Sequence, residues 1–351
     1  MRPLGIPALE DKIVQQAVRM LLEPVYEYSE FIGFSYGFRP GRSQHMALDA
    51  LAEALQRKVS WVLDADIRSF FDTVDHGWMQ KFLEHRIGDR RLVRLLMKWL
   101  KAGVMEEGKL HETQAGTPQG GVISPLLANI YLHYVIDLWV QQWRTRNARG
   151  QMYVVRYADD LVMGFQNEQD ARAMQAALAA RLAEFGLELH PDKTRVLRFG
   201  RFARQDAPKD GRTRPKTFDF LGFTHISAED REGRYRLLRR TSRKKRVAKL
   251  RAVRKEMLRR ICEPVIEQHG WLSSVVRGHY QYYGVPGNSR ALNSFRESVR
   301  YLWHKRLQRR SQRASWTTQK RTRFDRRFPL PAPRIIHPYP TTRFRDRHAR
   351  R

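Results

Sequence analysis

Two acids, Asp159 and Asp160, stand side by side with apolar residues on both flanks: Tyr153, Val154 and Val155 before, Leu161, Val162 and Met163 after. Apolar runs of this length around a short polar break predict two buried strands joined by a tight turn. The turn then carries two like charges into a poorly hydrated setting, which is costly unless something neutralises them. A solvated Asp-Asp turn is one answer. The other is a divalent cation, which needs a third oxygen donor from elsewhere in the chain. The segment WVLDADI, residues 61–67, offers one on a short strand, where Asp64 and Asp66 share a face by the two-residue period. A strand-end acid can also simply cap a turn. Combined with the hairpin, it builds the clamp used in nucleotidyl transfer, where two metal ions sit about 3.5–4 Å apart.

The charge distribution points to the class of partner. The formal net charge is +30. Residues 201–351 hold 41 Lys and Arg against 12 Asp and Glu, whereas residues 1–200 are nearly balanced at 25 against 24. Such asymmetry suggests a catalytic body joined to a part that grips a polyanion. A basic ribosomal-type binder or a polybasic membrane-surface protein carries the same signature. The single cysteine, Cys262, excludes disulfides within the chain and CxxC-type zinc modules, and fits a reducing cytoplasm. Glu10, Asp11 and Lys12 interrupt any signal-peptide pattern. The most apolar stretch, residues 122–140, bears Pro125, Asn129, His133 and Asp137 four apart. That spacing draws one polar stripe along a helix buried in protein rather than lipid.

Periodicity predicts further helices over residues 11–22 (Ile13, Val14, Ala17, Val18, Leu21 and Leu22 inward), 45–55, 78–85, 90–101 and 169–185. PKTFDFLGF, residues 215–223, reads as one strand. FIGFSYGFRPGRS, residues 31–43, reads as a loop able to sit on a phosphate backbone through Arg39 and Arg42. Residues 241–261 place Val247, Leu250, Val253, Met257, Leu258 and Ile261 on one stripe, with Lys and Arg elsewhere, beginning at Arg243, Lys244, Lys245 and Arg246. That is a helix with core on one side and phosphates on the other. Trp271, Tyr280, Tyr282 and Tyr283 interleave with Arg277 and His279, a mixture that stacks on unpaired bases or packs a core. Residues 292–307 repeat Leu292, Phe295, Val299, Leu302 and Trp303. The Arg-rich tail from 308, with Pro329, Pro331 and Pro333, reads as an extended segment that orders on nucleic acid.

Seven blocks occur in order: RPLGIP, SYGFRPGRS, DADIRSFFDTVDH, GTPQGGVISPLLANIYLH, YADD, GLELHPDKT and FDFLGF, with HGWLSSVVRGHYQYYG after them. Through them the chain resembles a group II intron-encoded reverse transcriptase with maturase activity. The resemblance implies an α+β right-hand polymerase. Partial fingers and a palm with a small antiparallel sheet would occupy residues 1–225. An α-helical thumb or maturase domain would occupy 226–315, and a basic tail 316–351. The family usually has a further stretch with a triphosphate-binding Lys ahead of RPLGIP, so shortened fingers are expected, as is the lack of an HNH-type endonuclease module.

The resemblance also implies roles. Asp66, Asp159 and Asp160 would hold two Mg2+ ions, with Mn2+ as a substitute; Asp64 ranks behind Asp66 because the family's Asp directly precedes the Ile. Phe70 would lie beneath the incoming sugar and exclude a 2′-hydroxyl, Phe71 would do so if the turn is shifted, and either fits as plain core. Gln119 would touch the incoming nucleotide, beside Gly120 and Gly121, which let backbone approach it. Lys193 would neutralise or protonate the leaving pyrophosphate, and Arg2 would meet the triphosphate. Gly222 belongs to the segment that holds the primer end. Arg39, Arg42, Arg243, Lys244, Lys245, Arg246 and Arg277 would contact RNA or template–primer. The implied partners are group II intron RNA, an RNA template, a DNA primer, dNTPs and target DNA, with no membrane, in a bacterial cytoplasm or nucleoid. Two alternatives stand beside this reading: a non-catalytic RNA-binding maturase with the palm as scaffold, and a defence or CRISPR-type reverse transcriptase.

Overall fold

Apolar periodicity sorts the first part of the chain into helices laid around one sheet. The computed structural model describes residues 7–102, 104–106, 109–111, 116, 120–310 and 316–342. In order come α1 (Leu9–Ser29), α2 (Gln44–Leu55), β1 (Trp61–Asp66), α3 (Phe70–Thr73), α4 (His76–Arg86), α5 (Arg90–Lys101), β2 (Val104–Glu106) and β3 (Lys109–His111). They are followed by α6 (Ser124–Leu132), a π-turn (His133–Asp137), α7 (Leu138–Arg146), β4 (Met152–Tyr157), β5 (Asp160–Phe165), α8 (Glu168–Ala183), β6 (Arg195–Arg198) and α9 (Ala203–Asp206). Side chains of Ser43, Asp75 and Asp89 accept hydrogen bonds from the N–H groups of Met46, Trp78 and Arg91, capping α2, α4 and α5.

Strands β4, β5, β1 and β6 form an antiparallel sheet in that order, with the β1–β5 pair at its centre. Leu63, Ala65, Leu161 and Met163 point into one core cluster shared with α4 to α8. Helix α2 packs against β4 and β5. Burial on both faces is why residues 161–165 read as a continuous apolar run rather than an alternation. The helix predicted over 11–22 is longer and runs through Pro24 to Ser29. It buries Val18, Leu22 and Tyr26, but leaves Ile13, Val14, Ala17 and Leu21 exposed, so only Val18 and Leu22 of the predicted stripe face inward.

The chain parts into two compact units at residue 210. The second holds β7 (Thr217–Phe220), β8 (Phe223–Glu229), β9 (Tyr235–Thr241), α10 (Arg243–Arg259), α11 (Val265–Tyr283), α12 (Ser289–Gln308) and α13 (Thr318–Arg327). PKTFDFLGF is not one strand. Leu221 and Gly222 adopt φ of 47° and 79°, closing a two-residue hairpin between β7 and β8. The boundary expected at 225/226 would cut β8, which is paired with both β7 and β9, so the sheet holds it in the second unit. Leu272, Val276, Leu292, Phe295, Val299 and Trp303 form the helical core.

The described part of the tail is packed: residues 318–327 form α13, and the stretch after it lies against the helical core. Phe324 and Phe328 pack on the core and Leu330 is buried. The Tyr280 hydroxyl donates to the Pro331 carbonyl (3.1 Å), and the N–H groups of Ile336 and His337 donate to the Gly284 carbonyl (2.8 and 3.0 Å). These few apolar anchors among many arginines outweigh the disorder that the composition suggests. Among the described residues no helix is long and apolar enough to cross a membrane.

Candidate active site

The register of the central strands decides what meets what. Strands β4 and β5 close through Ala158 and Asp159, pairing Tyr157 with Asp160. Ala158 takes the left-handed conformation (φ 55°), which such tight hairpin turns require. The β1–β5 register sets Asp66 directly opposite Asp160. Opposed residues in antiparallel strands have Cα atoms about 4.5–5.5 Å apart. Asp66, Asp159 and Asp160 are thus brought to one end of the sheet, with Asp64 two residues back along β1.

The HPDK turn comes to the same place. The His190 N–H donates to the Asp66 carbonyl (2.8 Å) and Ile67 bridges to Leu189, so the turn wraps the end of β1. It delivers Lys193, whose Nζ lies 2.6 Å from Asp66 Oδ2. Arg195 Nε lies 3.5 Å from Asp64 Oδ2. Asp160 keeps an open face, but crowding removes part of its hydration. That desolvation, followed by the charges of Asp159, Asp66 and Asp64, pushes its pKa up to about 7 against the pull of Lys193. Like-charged carboxylates gathered at one strand end repel one another, and their oxygens are the hard donors that a divalent cation takes. Among the described residues no three His, Cys, Asp or Glu side chains close into a metal cage.

Several assignments shift. Phe70 is fully buried against Phe71 and Tyr131, so it does not reach a sugar. Phe71 is the partly exposed ring of the short helix that follows Ser69, which sits in the left-handed region (φ 47°). Arg39 is not a phosphate ligand. It is buried, pairs with both oxygens of Glu27 (2.7 and 2.9 Å) and donates to the carbonyls of Phe31, Ile32 and Ser35. Arg42 also turns inward, donating to the Gly33 carbonyl (2.5 Å) and covering the Tyr36 ring. Residues 31–43 are therefore a brace rather than a cradle. Gly120 has φ 114°, a backbone that glycine takes without strain. Arg2 and Gln119 lie outside the described residues.

In the second unit Arg243, Lys244 and Lys245 are exposed at the start of α10, as is Arg277 on α11. Arg246 is partly buried and donates to Ser294 Oγ (2.9 Å). The aromatics of α11 mostly pack: Tyr280 is buried, His279 stacks on Phe295 with centroids 3.8 Å apart, and the Tyr282 hydroxyl donates to the Leu221 carbonyl (2.8 Å). Gly222 occupies the β7–β8 turn, where its carbonyl accepts from Ser242 N–H (2.9 Å). A groove of about 530 Å³ between α10 and α12 is lined by Val247, Leu250, Arg251, Arg254, Tyr301 and Leu302. The residue that pattern reading missed is Arg156, wholly buried one residue before YADD. Its signal was the polar stripe on 122–140, which needed a partner.

Comparison with known proteins bears on this geometry. The profile of the family described as reverse transcriptase (RNA-dependent DNA polymerase) matches residues 1–225. The protein YkfC of Escherichia coli (strain K12) is 38% identical over 229 residues, covering 56% of this chain and 59% of YkfC. The group II intron-encoded protein LtrA of Lactococcus lactis subsp. cremoris is 44% identical over 146 residues, 42% of this chain and 24% of LtrA. The chain thus spans less than two thirds of either relative. Among solved structures, telomerase from Candida albicans with a fragment of telomeric RNA superposes with a TM-score of 0.47 at 13% identity, over 84% of this chain and 54% of that one.

Proposed function

The chain belongs to the reverse transcriptase (RNA-dependent DNA polymerase) family, and from that premise we propose that it is the RNA-directed DNA polymerase of a group II intron. One observation supports this above the others: Asp66 stands opposite Asp160 across the central strand pair, with Asp159 in the adjoining turn. Asp66, Asp159 and Asp160 would hold two Mg2+ ions, for which Mn2+ would substitute. Bound there, the ions supply activation of the primer 3′-hydroxyl and charge neutralisation on the triphosphate. Phe71 takes the place beneath the sugar first expected of Phe70. Lys193, already beside Asp66, brings its ammonium group to the leaving pyrophosphate. Arg2 and Gln119 complete the contacts to triphosphate and nucleotide in this proposal.

The second part of the proposal concerns RNA. Related proteins include one encoded by a group II intron. We infer that Arg243, Lys244, Lys245 and Arg277 bind phosphates of the intron RNA, and that binding favours its splicing-active fold. The intron RNA then doubles as template, with target DNA supplying the primer. The deciding experiment is extension of a DNA primer on an RNA template with dNTPs and Mg2+. Wild-type protein is expected to make cDNA and the Asp159→Ala variant none; equal product from both refutes the assignment of the site.

A further inference from the structure

A chain of buried polar contacts runs from the π-turn helix to the acidic turn. Arg156 and Asp137 are both wholly buried. Arg156 Nε and Nη2 donate to Asp137 Oδ1 and Oδ2 at 2.7 and 2.5 Å. Its remaining nitrogen, Nη1, donates to Asn129 Oδ1 (3.2 Å) and to the Ala158 carbonyl (3.0 Å). Asn129 in turn donates through Nδ2 to the Gly37 carbonyl at 2.7 Å. Gly37 lies against the same turn, since a Cβ there would stand 2.3 Å from Ala158 N. On the other side of Arg156 its backbone is clamped, with Tyr36 N–H donating to its carbonyl and its own N–H donating to the Phe34 carbonyl, both at 2.9 Å.

The helix is shaped to make this possible. An α-helix advances about 100° per residue, so Asn129 and Asp137, eight residues apart, would be rotated by about 80°. Just past Asp137, Leu138 N–H bonds to the His133 carbonyl five residues back, closing a π-turn over His133–Asp137 that absorbs the surplus residue and swings Asp137 back toward the azimuth of Asn129. Both can then face one guanidinium. A buried ion pair contributes little net stability, because desolvation offsets its Coulomb attraction. Its effect here is geometric. Ala158 directly precedes Asp159 and sits in the left-handed region, so the carbonyl that Arg156 holds sets the direction in which the chain leaves toward the carboxylates.

We propose that Asn129, Asp137 and Arg156 form a positioning relay that fixes the Ala158 turn and thereby the placement of the Asp159 and Asp160 carboxylates. This rests on the reading of that turn as the polymerase site. None of the three residues touches substrate; they act through the backbone of the turn.

The test separates geometry from stability. Replacing the pair by apolar residues of similar volume, in the double variant Asp137→Leu/Arg156→Met, removes the donor to Ala158 without leaving a buried charge. Asn129→Ala is the milder second variant, and Leu83→Ala, a core cavity in α4 away from the turn, is the stability control. Three quantities are measured well below each melting temperature: kcat and dNTP KM for primer extension, and Mn2+ affinity from the free-Mn2+ spin-resonance signal. Expected is a kcat about 10–100-fold lower and a Mn2+ dissociation constant raised by a similar factor, the range for groups that orient metal ligands. Meanwhile KM stays near wild type and Leu83→Ala changes only the melting temperature. Relay variants that fold yet match Leu83→Ala in kcat and Mn2+ affinity overturn the relay; if the double variant does not fold, Asn129→Ala decides alone. If the wild type extends no primer, the polymerase reading fails and the Mn2+ titration judges the relay by itself. A wild type that binds no Mn2+ overturns both.

Discussion

Basic side chains in the two units of this chain differ in their surroundings, although each unit also buries some arginines, Arg239 and Arg306 in the second. In the first, where acids nearly equal bases, Arg39 and Arg156 are buried against Glu27 and Asp137 and hold loops and turns in place. In the second, where bases far outnumber acids, Arg243, Lys244, Lys245 and Arg277 stand in water. The contrast teaches that a local motif does not reveal what an arginine does. At Arg39 and Arg156 a carboxylate that is itself sheltered makes the guanidinium internal scaffolding, whereas exposed pairs such as Arg172–Glu168 and Arg234–Asp230 leave theirs in water.

The sharpest way to break this division is Asp159→Ala. Primer extension should fall by on the order of 10³-fold or more, at the upper end of losses seen when a charge-stabilising group is removed. RNA affinity in filter binding should stay as in wild type; a parallel loss of RNA binding would mean that the two units do not divide the work. Next comes sugar discrimination. Phe71→Ala should raise the use of ribonucleotides over deoxyribonucleotides by about 10²-fold, the scale of rejecting one added hydroxyl. Phe70→Ala should leave that ratio alone and cost about 3–5 kcal/mol of stability, as for a buried ring. Steady-state incorporation and urea unfolding of both variants check the exchange of roles.

A smaller effect tests the basic unit. Replacing Arg243, Lys244 and Lys245 together by Ala should lower the slope of log affinity against log salt by about 0.7–0.9 for each phosphate no longer neutralised. Binding isotherms at several salt concentrations measure it, and an unchanged slope would make the cluster a merely solvated face.

The subtlest prediction is a difference in the sign of pH dependence. In the second unit, burial and then the charge of Arg239 push the His225 pKa down to about 3. Burial, with Lys249 and Arg246 nearby, pushes His279 down to about 4. These histidines protonate more readily unfolded, so stability is full above about pH 6.5 and is lost as pH falls toward their folded values, with a limiting slope of about 1.4 kcal/mol per pH unit for each. In the first unit, Asp160 has its pKa raised, so it binds its proton more tightly when folded. Its contribution is present below about pH 4 and is lost as pH rises through about 7 in metal-free buffer. Unfolding curves for His225→Leu and Asp160→Asn between about pH 4 and 8 should each flatten one of these opposed trends.

Much of the site is legible in the sequence because strands have a period of two and hairpins a fixed logic. Those two rules alone put Asp66 and the Asp159–Asp160 turn on separate strands whose ends could meet. Helix α5 runs over the predicted residues 90–101, since its apolar repeat and its Asp89 cap agree. The illegible parts depend on backbone states that packing selects. Ser69 and Leu221 both adopt positive φ, which their residue types do not advertise; the first opens the short helix in which Phe70 is buried and Phe71 partly exposed, and the second folds 215–223 into a hairpin. The fate of Arg39 is hidden because its partner, Glu27, lies on a helix twelve residues upstream.

The packed tail limits how this protein can be shortened. Trp303 and Tyr280 are sheltered partly by residues beyond 315: Phe324 lies 4.8 Å from the Trp303 ring, and the Tyr280 hydroxyl is anchored to Pro331. A gene trimmed at that point would not yield a smaller version of the same bundle. It would yield one with an open aromatic seam, sticky toward its own copies and quickly clipped by proteases.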